Sequence, residues 1–150
     1  MVRALLVYLQ RLALVFWLGE MLFFAFVFAP VVFKVLPRDQ AALLQNNLFP
    51  KYYLLGLICA ASIFFLEILR YQWSQSRLVF SKKYRPPGRS IFFFVFLGVA
   101  AAAFSYSYFV LLPNFELIAR DSEEFKLLHS LSTQLNGVAL VALLIVLGLL

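Results

Sequence analysis

The stretch from Leu12 to Leu36 constrains the fold more than any other part of the chain. It reads LALVFWLGEMLFFAFVFAPVVFKVL, 25 residues of almost unbroken apolar character. A bilayer core about 30 Å thick is crossed by about 20 helical apolar residues, so this stretch can span a membrane with some tilt. Its one carboxylate, Glu20, lies well inside it. Such an acid is costly unless it faces protein or water, so Glu20 is the first candidate for a functional residue.

The composition supports a membrane protein. Hydrophobic residues make up 64% of the chain and charged residues 13%, against about 45–50% and about 25% in soluble domains. Further apolar runs at 53–70, 90–112 and 129–150 join the first run at 12–36. The first run exceeds the apolar region of about 7–15 residues found in signal peptides, so we expect it to be retained. The sequence therefore predicts one all-α domain, residues 1–150, folded as an integral membrane four-helix bundle.

The basic residues are distributed by membrane side rather than along a soluble face, so no nucleic-acid partner is expected. Of the 13 Lys and Arg residues, eight lie near the N-terminus or at 70–89, and five lie in the other two loops. The positive-inside rule predicts that both termini are cytoplasmic, and we expect the protein in the plasma or inner membrane. Anionic lipids attract such basic residues by about 1 kcal/mol each. The predicted lipid-contact residues are Arg77, Lys82, Lys83, Arg85 and Arg89.

Prolines and caps predict where helices end on the outer side. Pro30 removes a backbone donor near the end of the first helix and predicts a disturbance there. The first outer loop, 37–50, places several leucines on one side of a short helix. We expect this amphipathic helix to lie on the outer surface and to end at Pro50. Asp121 and Glu124 have the spacing of a capping box, so the fourth helix should start at Ser122.

Small and charged residues predict two contacts between helices. Small residues recur four apart from Gly56 in the second span and from Gly98 in the third, a spacing that lets membrane helices approach closely. Replacing Gly98 with leucine should therefore disrupt the bundle. Glu67 lies three residues before Arg70, which predicts either an ion pair within the helix or a pair between Glu67 and Arg11 of the first helix.

The fourth helix carries a polar stripe in its outer half. Its four residues have the spacing i, i+3, i+4 and i+7, which brings them to one face. They are His129, Ser132, Thr133 and Asn136. If the stripe faces the Glu20 helix, it forms a small polar pocket open to the outer side. Alternatively, it makes only hydrogen bonds between helices, worth about 0.6–2 kcal/mol each.

The candidate ligand site combines this stripe with the acid of the first helix. Trp17 lies one turn before Glu20. We expect water, a ligand or a third-span hydroxyl such as Ser105 to bridge the difference in depth between Glu20 and the stripe. Burial disfavours a charged carboxylate, so we expect Glu20 to be protonated at rest. A packing role for this acid is the alternative. The predicted ligand-binding residues are Glu20, Trp17, Ser105, His129, Ser132 and Asn136.

No metal site, cofactor or catalytic residue is predicted. Copper and zinc sites need several Cys, His or Met ligands, and the chain has one Cys, one His and two Met. Haem ligation by two histidines of one protomer is excluded for the same reason. The chain also lacks a phosphate-binding glycine loop and the HExxH and GxSxG motifs, so nothing points to an enzyme.

Two stretches resemble the transmembrane protein 205 family, whose bacterial members are grouped as a domain of unknown function. The first is FKVLPRDQAALLQNNLFPKYY, from Phe33 to Tyr53, and the second is FKLLHSLSTQLN, from Phe125 to Asn136. The resemblance implies a four-helix membrane protein. It marks as family-motif positions Pro37, Arg38, Phe49, Pro50 and Tyr53, together with His129, Ser132 and Asn136.

Two functions are compatible with these features. The first is a non-enzymatic bundle that binds or passes a small solute, proton or lipid at a polar pocket between helices one and four. The second is a structural or assembly factor whose outer-loop helix and basic inner loop contact lipids or other membrane proteins. A homo-oligomer is compatible with either function.

Overall fold

A computed structural model of the chain describes residues 2–78, 87–118 and 122–150. Every element within these ranges is helical. The helices are α1 (Val2–Phe23), α2 (Ala29–Val35), α3 (Arg38–Leu78), α4 (Pro87–Tyr106), α5 (Leu112–Leu117) and α6 (Glu123–Leu149). Two π-helical turns connect consecutive helices. The first π turn, Phe24–Phe28, joins α1 to α2, and the second π turn, Ser107–Leu111, joins α4 to α5.

Within the described ranges, four helical stretches are long and apolar enough to cross a membrane, which confirms the predicted all-α membrane bundle with four spans. They are Ala4–Val35, Arg38–Gln72, Ile91–Phe115 and Glu123–Leu149. α1 packs mainly against α3, and α4 packs mainly against α6. The chain therefore forms two helical hairpins, each made of two antiparallel membrane helices. The first comprises α1 to α3 and the second α4 to α6. We call the end of the bundle where α2 and α5 terminate the hairpin end, and the opposite end the terminal end.

Both π turns precede a proline. Pro30 and Pro113 each lie two residues after a π turn. Proline has no N–H for the carbonyl four residues earlier, and its ring crowds that carbonyl. A π turn takes an extra residue into the helix at this point and relieves the crowding. Because the residues flanking both π turns stay in right-handed helical conformation, each interrupted stretch still crosses as one helix.

α3 continues without a break through Pro50. The prediction that Pro50 ends a separate amphipathic helix is therefore wrong, because residues 38–50 and the second span form one helix. Aromatic packing explains this continuity. Three aromatic residues on either side of the proline each contact a ring outside α3: Phe49 and Tyr52 contact Phe24, and Tyr53 contacts Phe104 edge to face. These contacts hold α3 together where the proline removes one backbone hydrogen bond.

Three helices meet closely at Gly56 of α3. A Cβ atom added at Gly56 would lie 2.6 Å from Trp17 Nε1 of α1 and closer still to the Phe104 ring of α4. Gly98, which was expected to make a close contact from the third span, is exposed, and a Cβ atom there would meet nothing within 4 Å. That prediction is wrong. Gly98 instead lines an open apolar groove of about 370 Å³ between α3 and α4.

A buried ion pair connects α3 to α1 toward the terminal end. Arg70 Nη2 lies 2.5 Å from Glu67 Oε2, and both side chains are buried. Gln10 Nε2 of α1 donates a hydrogen bond to the same carboxylate oxygen at 2.9 Å. Arg11, the alternative partner, is exposed. The predicted pair within the helix is therefore confirmed, and the bond between helices comes from Gln10 instead of Arg11.

α6 begins one residue later than the sequence predicts. Ser122 is the N-cap residue, and its Oγ accepts a hydrogen bond from the backbone N–H of Phe125 at 3.1 Å. This bond satisfies one of the free N–H groups at the start of a helix. Asp121, which was expected in that role, lies outside the described residues.

The basic segment falls largely beyond the described ranges. Lys82, Lys83 and Arg85 lie outside the described residues. Arg77 belongs to the last turn of α3 and Arg89 to the first turn of α4. These two predicted lipid contacts therefore lie at the terminal end.

Candidate functional site

A polar network joins α3 to α6 between the middle of the bundle and the hairpin end. Tyr52 Oη donates to Asn136 Oδ1 at 2.7 Å, and Asn136 Nδ2 donates to Tyr53 Oη at 3.0 Å. Tyr53 Oη and Ser132 Oγ lie 3.0 Å apart and share one hydrogen. Adjacent tyrosines on α3 thus meet two side chains one turn apart on α6. We call Tyr52, Tyr53, Ser132 and Asn136 the polar network.

Aromatic rings surround the polar network. The Tyr52 ring centroid lies 4.7 Å from that of Phe24 and 5.4 Å from that of Phe104. Phe104 in turn contacts Trp17 edge to face at 5.1 Å. Hydroxyl and amide groups in such apolar surroundings form stronger hydrogen bonds than in water, and an unpaired polar group there is costly.

Glu20 lies at the edge of this aromatic cluster. It follows Trp17 by one turn and precedes Phe24 by one turn on the same helix. Its side chain is half-buried and is within electrostatic range of Tyr52 and Cys59 of α3. Its Oε2 atom is buried and has no hydrogen-bond partner in the described part of the chain. One carboxyl oxygen therefore faces the α1–α3 interface without a bond.

Ser107 supplies a second buried polar atom without a partner among the described residues. It begins the second π turn, which contacts both α3 and α6, and it is buried one turn after Phe104. Trp17 Nε1 also lacks a partner in the described ranges, but it packs against Gly56 and the Phe104 ring.

Gln10 Oε1 and Arg70 Nε are also buried without a partner in the described ranges, but they belong to the cluster of Gln10, Glu67 and Arg70 toward the terminal end. The candidate binding groups outside that cluster are therefore those of Glu20 and Ser107.

The predicted polar stripe of the fourth helix divides into two pairs. Ser132 and Asn136 enter the polar network, but their partners lie on the second membrane helix, α3, and not on the first as expected. His129 and Thr133 are exposed. Thr133 Oγ1 donates to the His129 carbonyl at 2.9 Å, and the His129 ring stacks on Phe125 at 6.5 Å. The stripe is wider than the contact between α6 and α3, so His129 and Thr133 face away from the bundle.

Two residues of the site are absent from the sequence predictions. Ser105, the predicted bridge, is half-buried, whereas Ser107 is the buried hydroxyl. Helical spacing could have identified Ser107 as the buried serine, because one helix face carries Ala100, Phe104, Ser107 and Leu111. Tyr52 is the other missing residue. Its neighbour Tyr53 is named as a family-motif position, but no sequence feature assigns a role to Tyr52.

The family-motif positions also divide between site and surface. Phe49 and Tyr53 pack with their rings 6.1 Å apart beside the polar network. Pro37 and Arg38 are exposed at the start of α3, and Pro50 lies within that helix. The aromatic part of the first motif stretch therefore contributes to the candidate site, as do Ser132 and Asn136 of the second stretch.

The chemistry available at the site is hydrogen bonding and proton exchange. In the described ranges, no three His, Cys, Asp or Glu side chains come together to hold a metal ion. The network instead offers two phenol groups, a serine hydroxyl and an amide in one connected chain. Glu20 adds a carboxyl group that can gain or lose charge.

A family model described as "Domain of unknown function (DUF4149)" matches residues 12–124. The chain belongs to this family. The match covers Glu20, Tyr52, Tyr53 and Ser107 and ends at the start of α6, so the α6 side of the polar network lies beyond the matched region of this DUF4149 protein.

One relative of the DUF4149 protein is an "Uncharacterized protein" of Aquifex aeolicus (strain VF5). It is 43% identical over 60 residues, which cover 38% of this chain. The match spans 46% of the relative's length, less than half of it. No solved structure matches the chain.

Proposed function

We propose that this DUF4149 protein is a non-enzymatic membrane protein that binds or passes a small solute or a proton at the polar network. Glu20 and Ser107 are the groups that meet it. One observation supports this function most: both side chains keep a buried oxygen without a partner in the described part of the chain. An unpaired buried polar group costs about 1–3 kcal/mol. A solute or proton that pairs with these oxygens offsets that cost.

Glu20 determines the kind of solute in this proposal. A carboxylate inside a membrane helix is costly unless it finds a partner. A solute with a positive charge or a hydrogen-bond donor provides one, and the ring of Tyr52 beside it favours a cation further. Ser107 can donate or accept a hydrogen bond. A small polar or cationic solute therefore fits better than an anion.

Native mass spectrometry of the protein purified in mild detergent tests this function. We expect a stoichiometric small molecule on the wild type, lost in Glu20→Gln and in Ser107→Ala. Glu123→Gln is the matched control, because Glu123 is an exposed acid paired only with Lys126 at the surface. The control should retain the molecule, and all variants should keep the wild-type melting temperature.

Mass spectrometry would not detect a transported proton. The second measurement is therefore acid influx into proteoliposomes that contain a pH-sensitive dye. We expect Glu20→Gln to slow influx relative to Glu123→Gln. The proposal is rejected if the wild type carries no small molecule and admits acid no faster than protein-free vesicles.

The second candidate is a structural or assembly factor. Two open apolar grooves, of about 370 and 330 Å³, flank α4 on its exposed sides. Grooves lined by small residues accept a helix of another membrane protein or of a second copy, or a lipid chain. A stoichiometric protein in the same purification, in place of a small molecule, would favour this candidate.

The orientation and lipid contacts remain part of the proposal. The bias of Lys and Arg toward the N-terminus and 70–89 supports cytoplasmic termini, a plasma or inner membrane, and anionic lipids at the terminal end. The likeness to the transmembrane protein 205 family rests on two stretches: Trp17, Gly19 and Phe28 with the segment from Phe33 to Tyr53, and the segment from Phe125 to Asn136. Tyr53, Ser132 and Asn136 of these stretches belong to the polar network.

A further inference from the structure

The helix interruptions occur twice, at the same spacing. Pro30 and Pro113 are 83 residues apart, and the π turns Phe24–Phe28 and Ser107–Leu111 are separated by the same shift. α2 and α5 both end in an extended residue, Leu36 or Ile118. The first membrane helix of each hairpin thus has one construction: a long α-helix, a π turn, a proline and a short final helix.

The same 83-residue shift also superimposes the buried positions. In the first helices, the buried residues Gln10, Leu14, Trp17 and Met21 correspond to the buried residues Phe93, Leu97, Ala100 and Phe104. In the second helices, Gly56, Cys59, Ala60 and Ile63 correspond to Ala139, Ala142, Leu143 and Val146, which are buried as well. Few of these pairs are identical residues, so the repetition lies in helix geometry and burial.

A hydrogen bond places the polar network between the two hairpins. Tyr53 and Asn136 are equivalent under the 83-residue shift, and they bond to each other at 3.0 Å. When two units are related by a two-fold rotation, a residue contacts its own equivalent only near the axis. Both hairpins start at the terminal end, so this axis runs along the helices, as in membrane proteins with parallel repeats.

The two hairpins differ in chemistry around that axis. Where the first has Phe24, Phe49 and Tyr53, the second has Ser107, Ser132 and Asn136 at the equivalent positions. One wall of the site is therefore aromatic and the other carries small polar groups. In the closed arrangement of the structure, Tyr53, Ser107 and Ser132 are all buried, so a solute reaches them only if the hairpins separate.

We infer that the chain is a pair of equivalent helical hairpins, and that their matched π turns are hinges that open the polar network toward the hairpin end. Both π turns lie against the helices of the network: the Phe24 ring of the first contacts the Tyr52 ring, and the second contacts α3 and α6. The missing proline N–H and the widened turn leave fewer backbone hydrogen bonds at this point than in a regular helix. α2 and α5 move outward, while α1 and α4 stay packed near the terminal end.

This inference deepens the proposed function, because the hinges give a solute access to the site. Only the identity of what enters rests on the proposed function. Its test needs no solute. Spin labels are placed at equivalent exposed positions of the two hairpins, in a Cys59→Ala background, in lipid nanodiscs. The hairpin-end pair is Lys34→Cys with Leu117→Cys, and the terminal-end pair is Tyr8→Cys with Ile91→Cys; all four residues are exposed.

Pulsed electron paramagnetic resonance then measures both distance distributions. We expect a second, longer population for the hairpin-end pair, of up to about 10% as is typical of minor states, and a single population for the terminal-end pair. Pro30→Ala combined with Pro113→Ala restores both missing N–H donors and should remove the longer population. Pro50→Ala is the matched control, because Pro50 lies in a helix without a π turn, and it should leave the longer population unchanged.

A hairpin-end pair with a single population in the wild type overturns the hinges, as does a longer population that persists in the double proline variant. Loss of the small molecule or of acid influx bears on the proposed function alone. A longer population in a protein that carries no solute and admits no acid would reject the proposed function and support the hinges. A bound solute or acid influx together with a single population would support the function and reject the hinges.

Discussion

Single residues decide how closely the helices of this protein approach one another. Gly56 has no side chain, and the space that a Cβ atom would take is filled by Trp17 and Phe104. Inside a bilayer, packing of this kind holds helices together because lipid chains are as apolar as leucine. The same residue type at Gly98 faces an open groove and makes no such contact. The role of a small residue therefore depends on the direction in which it points.

Gly56→Ala should lower the stability of the protein. The new methyl group displaces Trp17 or Phe104, and overpacking of this kind costs about 1–3 kcal/mol. The gain in helix propensity, about 0.5–1 kcal/mol, does not offset it. The measurement is the melting temperature in detergent. Gly98→Ala is the control: it has the same gain without the contact and should not lower the melting temperature. Equal melting temperatures for the two variants would contradict the close crossing at Gly56.

Whole helices are held in register by polar side chains near the ends of the bundle. Gln10 binds the Glu67–Arg70 pair on the terminal side, and the polar network binds α3 to α6 on the other. Apolar layers with fully buried Leu14, Ile63 and Leu143 lie between them. Apolar surfaces slide past one another with little change in energy, whereas hydrogen bonds between helices define one position. The two polar clusters therefore set the longitudinal position of α1, α3 and α6.

Gln10→Leu should destabilise the α1–α3 pair. It removes the only donor from α1 that the described residues present to Glu67, and a hydrogen bond to a charged group contributes about 1.5–3 kcal/mol. The free energy of unfolding, measured by denaturant titration in detergent micelles, should fall by that amount. Arg11→Leu changes an exposed neighbour on the same helix and should have little effect. A larger loss for Arg11→Leu would show that Glu67 pairs with Arg11, the alternative partner that the sequence offered.

At the scale of the whole molecule, two hairpins enter the membrane from the same side. This arrangement puts the first turns of α1 and α4 and the last turns of α3 and α6 at one end of the bundle. The proposed orientation therefore applies to all four helices together. The arrangement also puts the polar network at the boundary between the hairpins.

Cysteine labelling tests the orientation. A cysteine at Arg85 should react with an impermeant maleimide only from the cytoplasmic side, and a cysteine at Asn46 only from the outside, because of the Lys and Arg bias. Asn46 is exposed on α3 toward the hairpin end. Intact cells and inverted vesicles provide the two sides, and Cys59 is replaced by alanine to remove background. Labelling in the reverse pattern would show that the termini face outward.

The number and position of the membrane helices follow from the sequence by itself. Apolar runs of sufficient length must be helical in a bilayer, since every backbone N–H and C=O group needs a partner there. The intrahelical pair of Glu67 and Arg70 also follows, because residues three apart share a helix face. Both arguments use only distances along one helix.

The rotation of each helix about its own axis was decided by the tertiary structure. Helical spacing places Ser132 and His129 on one stripe, but packing turned Ser132 toward Tyr53 and left His129 exposed. Packing likewise put Gly56 and not Gly98 at the close crossing. Spacing within a helix cannot specify which partner its face meets, because that choice depends on the combined fit of side chains from several helices. The continuation of α3 through Pro50 has the same cause, since rings on other helices hold both sides of the proline together.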